Sequence, residues 1–575
     1  MEREGIYKYY TEGFPNERSE EARHKRILDS IKRAMPVKMS SELEQTLMQT
    51  IENPNILLTN DVQVYRDHIQ QNGHCFDQPD LPKCSARAAK HRCDGNLLYA
   101  KKEYGNALKK YNESICSAPN DSEELGMGYA NRSAIFYNME DHVLALANIT
   151  LAKNHNYPER LMPKLLVREA NCKQAIDKHN HNRKALGSNL NLFLSDRICV
   201  RKLPIYGNSL MARQDFKAGD VILQEKPLMV AVSEQLIFIR CNHCMSGNLL
   251  HLIPCPNCVS AMFCNENCLQ DGQTMHRFEC DITGELSKLK DTCVASRMFF
   301  HGLALFDDDV NKMMAFCRTV KTTENTFLDI DYSNYDPLKE FEIFLADKPG
   351  ENSLLDYSMR LNAAIVHALL LNVSSVRALI TNRAQEDFML QCFVEYLQKV
   401  VSMSIQRSQH TGFVSVLYPM ASLCNHSCDP NTLALDNGGQ LKLITLRPIR
   451  RGGHIFISYG AHYQHGATER QLELSALGFN CICDVCDEQK HQKLLAKARH
   501  SIAIAPKDWA TIKQLMTDTG FNNADRKNAL QQFVQRYASI HPRKDFASIL
   551  QMYCFYLTGT YSHEMGAAMR AKIAG

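Results

Sequence analysis

Between Cys241 and Cys280 the chain places four short-spaced pairs of zinc-ligand residues: Cys241-x2-Cys244, Cys255-x2-Cys258, Cys264-x3-Cys268 and His276-x3-Cys280. No other stretch limits the fold as tightly. Structural zinc takes four Cys or His ligands in a tetrahedron and keeps no open position. Seven thiols and one imidazole therefore complete two sites. The pairs are expected to interleave, with Cys241, Cys244, Cys264 and Cys268 on one ion and Cys255, Cys258, His276 and Cys280 on the other. The competing reading is a set of buried or disulfide-bonded cysteines. It is disfavoured, because four such pairs in succession rarely arise from packing. His243 lies inside the first pair, where a further metal-facing group would be crowded, and reads as a bystander.

The 575 residues leave room for three or four domains. A formal charge of +3 gives no general argument for nucleic-acid binding. The segment from Cys241 to Cys280 holds one arginine besides Arg240, so few phosphate contacts are on offer and no sequence-specific DNA binding is expected. The 22 cysteines could suggest a secreted disulfide protein. Against that, Met1-Glu2-Arg3-Glu4 is charged with no apolar signal segment. The longest apolar run, Ala363 to Leu371, is broken by His367 and too short for a bilayer. The expectation is a monomer of the nucleus and cytoplasm, off the membrane, with its thiolates on metal.

Residues 1–89 show weak periodicity and predict a helical region with a loop near Gln71-Asn72-Gly73. Residues 90–180 repeat. Gly95-Asn96-Leu97-Leu98-Tyr99 leads to Tyr104, Ala107 and Tyr111; Tyr129-Ala130-Asn131-Arg132-Ser133-Ala134 leads to Tyr137, His142 and Ala145. The spacing of 35 residues between Asn96 and Asn131 resembles tetratricopeptide repeats. Arrays of this kind present a concave face. On it Arg92, Asn96, Asn131, Lys164 and Arg168 could converge, since residues at i and i+4 share a helix face. Two amides and three cations would suit a peptide's C-terminal carboxylate, as in chaperone-binding repeats, with Arg92 where Lys is usual. A solvated basic face with structural asparagines is the competing reading.

From Ile198 to Ser233 the pattern has period two, with turns at Gly207-Asn208-Ser209 and Lys217-Ala218-Gly219-Asp220. Residues 281–410 read as helices, with apolar stripes through Leu303, Met313, Phe316, Leu370 and Leu397. Strands return at Gly412 to Leu417 and at Leu441 to Tyr459. The fold class is α+β: a β-rich domain split into segments 195–240 and 411–465, with the zinc module 241–280 and a helical segment inserted. A cysteine-bearing segment, 466–490, and a helical region, 491–575, follow.

Two further motifs carry a family resemblance. Asn425-His426-Ser427-Cys428-Asp429-Pro430-Asn431, and Phe456-Ile457-Ser458-Tyr459-Gly460 followed by Cys481-x-Cys483-x2-Cys486, resemble the second half of a SET methyltransferase domain and its post-SET cysteines. The cluster between the two halves is similar to a MYND finger. Together they resemble the SET and MYND domain family, in the branch with N-terminal repeats, and the C-terminal helices look like the start of that family's C-terminal domain.

The resemblance implies a third zinc on Cys428, Cys481, Cys483 and Cys486, with Cys424 the weaker alternative to Cys428. It also implies methyl transfer from S-adenosylmethionine to a lysine of a protein substrate. Tyr459 would place its hydroxyl beside the transferred methyl. Asn425 would hold the cofactor's amino-acid end through its amide, and His426 would contact the cofactor mainly through its backbone. Gly207 and Asn208 would form the turn that approaches it, and Phe479 would pack on the adenine side. Four departures stand out: the single glycine of Gly207-Asn208-Ser209, Arg451-Gly452-Gly453-His454 where Gly-Glu-Glu is typical, Leu477 where a channel tyrosine is common, and Val401-Ser402-Met403-Ser404 without the usual asparagine. A second reading stays open. In it the chain is a scaffold with an inert SET fold, binding corepressor or deacetylase proteins through the zinc module and heat-shock chaperone C-terminal peptides through the repeats.

Overall fold

The computed structural model describes residues 81–179, 197–246, 252–289, 291–321, 323, 325–331, 334–347, 353–403, 407–409, 412–436, 439–460, 466–475, 481–499, 501–517 and 522–558. The expected helices and loop within residues 1–80, together with Leu477 and Phe479, lie outside these residues.

Five helices open the described chain: α1 (Ser85–Ala100), α2 (Tyr104–Ser117), α3 (Glu123–Asn138), α4 (His142–Asn154) and α5 (Met162–His179). Local chemistry starts them. The Ser122 hydroxyl accepts from Leu125 N–H ahead of α3, and the Asp141 carboxylate accepts from Leu144 N–H ahead of α4. Such caps satisfy amides that a helix leaves unpaired at its start. Ala88, Ala107, Ala145 and Ala152 are fully buried, letting the helices approach closely.

The strands before and after the Cys/His cluster pair directly. β3 (Val221–Glu225) runs antiparallel to β11 (Leu441–Thr445), which also pairs with β10 (Thr432–Asp436). β4 (Met229–Val232) runs antiparallel to β8 (Gly412–Leu417), and β7 (Arg407–Gln409) adds to its other side. β1 (Ile198–Leu203) and β2 (Gly207–Ala212) form a hairpin. Its turn sits at residues 204–206, so Gly207 opens β2 instead of lying inside the turn as its sequence context suggested. β9 (Asn425–His426) and β12 (Phe456–Ile457) lie parallel, which sets the two C-terminal motifs side by side.

The inserted helices share one core with these strands. α7 (Asp291–Ala304), α8 (Val310–Thr319), α9 (Pro337–Ala346), α10 (Ser353–Leu371), α11 (Ser374–Leu379) and α12 (Arg383–Met403) bury Phe299, Leu303, Met313, Phe344, Leu370 and Leu397 together with Leu210, Leu223, Val230 and Leu417. Phe316 packs against the edge of that core.

The Cys/His segment contains the short strands β5 (Ile253–Pro254) and β6 (Met262–Phe263) and helix α6 (Glu266–His276). It shares a second core with the N-terminal helices, where Ile115, Leu125, Tyr129 and Ile149 pack with Leu252, Met262 and Phe263. Arg132 crosses this junction fully buried. Its guanidinium donates to Asn148 Oδ1 at 2.6 Å, Asn112 Oδ1 at 2.8 Å and the Leu252 carbonyl at 2.7 Å. Burial pulls its pKa down to about 10, yet it stays charged near neutrality. Buried charges are retained only where hydrogen bonds compensate them.

Helix α13 (Ala467–Ser475) lies between β12 and Cys481, and after Cys486 come α14 (Glu488–Arg499), α15 (Pro506–Thr517), α16 (Asn523–Tyr537) and α17 (Lys544–Thr558). The last helices build a third core with Ala218 and Leu446 from the β-domain. Gly219 has φ of +87°, and Gln531 and Gln535 bond the backbone of Ala218 beside it.

Candidate active site and metal centres

Three groups of metal-ligating side chains assemble. Cys241, Cys244, Cys264 and Cys268 form one, Cys255, Cys258, His276 and Cys280 the second, and Cys428, Cys481, Cys483 and Cys486 the third. Within each, the ligand atoms all lie within 4.8 Å of one another. Cys244 and Cys264 sulfurs are 3.5 Å apart, Cys255 and Cys280 3.8 Å, and Cys428 and Cys486 3.6 Å. A tetrahedron with zinc–sulfur bonds of about 2.3 Å has edges of roughly 3.8 Å, so the donor sets fit zinc in kind and spacing. These thiols carry no disulfide. Cys424 is buried away from the third group, and its carbonyl serves a different purpose below. His243 lies outside the first group.

Helix α6 positions side chains of the first two groups. Asn265 caps it by accepting from Cys268 N–H at 2.9 Å, and the helix then carries His276 to the second group. The third group is braced by α13. Gln471 bonds both the carbonyl and the N–H of Cys481, at 3.0 and 3.3 Å, and Arg470 points Nη2 at Cys486 Sγ, 3.7 Å away. Two more braces were invisible in sequence. The Asp429 carboxylate, next to Cys428, pairs with Arg447 at 2.9 Å and with His541 Nε2 at 2.6 Å, tying the C-terminal helices to this loop. No local pattern marks a histidine 112 residues away as a partner.

The two C-terminal motifs meet at Tyr459. Its hydroxyl donates to the Cys424 carbonyl at 2.6 Å, and its N–H donates to His426 Nδ1 at 3.0 Å. Crowding around the hydroxyl raises the phenol above its ordinary pKa, although 40% of the residue's surface is open. It is therefore a neutral hydroxyl at working pH and not a base. His426 is pushed down to about 4 by burial. Because its Nδ1 accepts, its Nε2 carries the proton and faces Cys428 Sγ at 3.4 Å. Its side chain thus links the third metal group to Tyr459.

Asn425 sits beside the Gly207 strand end. Its amide donates to the carbonyls of Tyr206 at 3.0 Å and Asn208 at 3.3 Å, while Oδ1 accepts from His454 Nε2 at 2.7 Å. An amide has two N–H donors and two acceptor lone pairs. Both donors are spent on the strands beside Gly207, so only one lone pair is left for a ligand. Gly207 itself has φ of +65°, and a Cβ there would meet nothing within 4 Å. The glycine is required by backbone conformation, and open space lies in front of it. Next to Gly207, Tyr206 packs in an aromatic cluster, 5.0 Å from the His454 ring and 5.6 Å from Phe456, with His454 and Phe456 3.9 Å apart. The Tyr206 phenol is raised by burial, then by the charge of Asp484.

Among the carboxylate-clamp residues, Asn131 donates to Asn96 Oδ1 at 2.8 Å, and Tyr111 donates to the same oxygen at 2.9 Å. Arg92 is paired with Glu124 at 3.0 Å, and Arg168 is held by the Ala130 carbonyl and the Ser133 hydroxyl. Lys164 is exposed on α5. The asparagines do converge, but Glu124 already neutralises one cation.

The fold and this site define a class. Residues 207–460 match the family model of the SET domain, so the chain is a SET-domain protein. It is similar to Protein-lysine N-methyltransferase SMYD4 of Homo sapiens, 22% identical over 70% of this chain and 67% of the relative. It is also similar to Histone-lysine N-methyltransferase ASHR1 of Arabidopsis thaliana, 25% identical over 52% and 57%, and to a SET and MYND domain-containing protein of Dictyostelium discoideum, 23% identical over 49% and 79%. The chain spans about two thirds of the length of its SMYD4 relatives. Its similarity is thus to proteins of the SET and MYND type, with the SET domain as the matched part.

Proposed function

We propose that the chain is a protein-lysine N-methyltransferase that uses S-adenosylmethionine and carries three structural zinc ions. The observation that carries this reading is the convergence of Tyr459, Asn425 and the Gly207 strand end beside a four-cysteine site. The residues here fit the cofactor: open space in front of Gly207, an aromatic cluster beside it, and a spare acceptor on Asn425 suited to an amino group. S-adenosylmethionine, when bound, supplies an electrophilic methyl group beside a sulfonium charge.

The chain's own residues would prepare the lysine. An ammonium has no lone pair, and removing its proton near neutral pH costs about 4–5 kcal/mol. A narrow, partly dry channel lowers that cost, because burial disfavours the charged form. With its proton committed to the Cys424 carbonyl, the Tyr459 hydroxyl oxygen would act toward the lysine amine as an acceptor. Its work is orientation, which carries much of the acceleration in transfer reactions. The third metal group would hold this geometry through Cys428 and the His426 imidazole. Support for the lysine as acceptor comes from the names of SMYD4 and ASHR1. Calorimetric titration of the zinc-loaded chain with S-adenosylmethionine tests the reading: micromolar binding supports it, and absent or millimolar binding favours the scaffold.

A further inference from the structure

His454 carries no recognised motif, yet it sits at the centre of the pocket's hydrogen bonds. Its backbone is fixed twice: Asn431 Nδ2 donates to the His454 carbonyl at 2.8 Å, and His454 bridges to Met211 on β2. Its ring lies against Phe456, 3.9 Å between centroids, and meets Tyr206 edge-on at 5.0 Å. These contacts leave Nε2 aimed at Asn425 Oδ1, 2.7 Å away.

The direction of that bond is settled by its neighbours. The carbonyls of Tyr206 and Asn208 can only accept, so the Asn425 nitrogen must face them and its oxygen must face the ring. The imidazole therefore donates. One consequence is a relay of two side chains: His454 orients Asn425, and Asn425 grips the carbonyls on both sides of Gly207, a residue at φ +65°. Without the imidazole, Asn425 could rotate, and the β1–β2 end would lose the two bonds that hold it against β9.

We propose that His454 is a positioning residue of this pocket, acting through Asn425 to hold the Gly207 strand end in the shape a ligand meets. Burial keeps the ring at a pKa of about 4, so it donates as the neutral Nε2–H tautomer throughout the neutral range. The geometric part of the proposal stands on the protein alone; its effect on S-adenosylmethionine rests on the methyltransferase reading above.

The test compares three zinc-loaded full-length variants. His454→Phe keeps a ring but no donor, His454→Gln keeps an N–H donor without the ring, and His454→Ala has neither. Hydrogen exchange of peptides covering residues 203–209 is measured without cofactor. Exchange in His454→Phe and His454→Ala is expected to rise about tenfold, the size of one net hydrogen bond, with His454→Gln staying near wild type. Zinc content and Trp509 emission report whether each variant is folded. Dissociation constants for S-adenosylmethionine are expected to rise in the same order. Unchanged exchange in folded His454→Phe overturns the positioning role, whatever the cofactor does. A rise in exchange with no cofactor binding to wild type upholds the positioning role and sinks the methyltransferase reading instead.

Discussion

Replacing Arg297 with leucine should disconnect the Cys/His segment from the methyltransferase core. Arg297 lies on α7 with 8% of its side chain exposed, facing Glu279 at 1%. Its Nε and Nη2 grip the Glu279 carboxylate at 3.0 and 2.7 Å. Its Nη1 donates to the Val230 carbonyl on β4 at 2.7 Å and to the Asn242 carbonyl at 3.1 Å, and Nη2 reaches Asn242 Oδ1 at 3.1 Å. Asn242 lies between Cys241 and Cys244, so one guanidinium ties the first metal group, β4 and α7 together. Arg297→Leu leaves the Glu279 carboxylate buried without compensation, which costs about 3–5 kcal/mol. With a urea dependence of about 2 kcal/mol per molar, the unfolding midpoint of this region should fall by roughly 2 M.

The assay is zinc release in a urea titration, followed with a metallochromic indicator. The only tryptophan, Trp509, packs in the C-terminal core and gives a separate probe of that region. The double variant Glu279→Leu/Arg297→Leu should be less damaged than Arg297→Leu, because well-packed apolar residues can replace a buried ion pair at little cost. A zinc-release midpoint within about 0.5 M of wild type in Arg297→Leu would refute the reasoning.

Other outcomes follow from single sites. Cys428→Ser should lower bound zinc from three ions to two per chain by metal analysis, while Cys424→Ser should not change the count. His367 is 2% exposed and held near pKa 4 by burial, against about 6.5 when unfolded. Between those values the unfolded chain binds the extra proton, so stability present above pH 6.5 is lost as pH falls toward 4, on the order of 3 kcal/mol. His367→Gln, which keeps a donor for the Glu386 carbonyl, should flatten the decline in urea midpoint between pH 7 and 5. A Cβ on Gly219 would sit 2.3 Å from Gln531 Nε2 at a φ of +87°. Gly219→Ala should therefore weaken docking of the C-terminal helices by about 1–3 kcal/mol, read from Trp509 emission.

The metal ligands were legible because zinc chemistry fixes both residue type and spacing. Even the third group, with Cys428 53 residues before Cys481, could be assembled from family motifs, and three-dimensional proximity chose Cys428 over Cys424. The helices before the first strand and those between β6 and β7 were legible from apolar periodicity. Short strands were harder: β9 and β12 have two residues each, too few to show a period. What the sequence could not carry are the long-range partnerships. Arg132 reads as one more polar position of a helix, yet it is the buried pin between the N-terminal helices and the Cys/His segment. Asn425 reads as a cofactor ligand, and its sequence context gives no sign that its two donors bond the carbonyls of Tyr206 and Asn208. His454 reads as a departure from a family turn and is the donor that orients Asn425. Each depends on which carbonyl or amide lies opposite after folding, and no local pattern encodes that.

The measurement that bears most directly on the account is transfer of a labelled methyl group from S-adenosylmethionine to lysine in a mixture of candidate protein substrates. Wild-type chain and Tyr459→Phe are compared, both zinc-loaded and both shown by calorimetry to bind cofactor. The account predicts lysine-borne label with wild type and a loss of about a hundredfold or more in Tyr459→Phe, since the hydroxyl that orients the amine is gone. Equal labelling by the two proteins, or none by a wild-type chain that binds the cofactor, would contradict it.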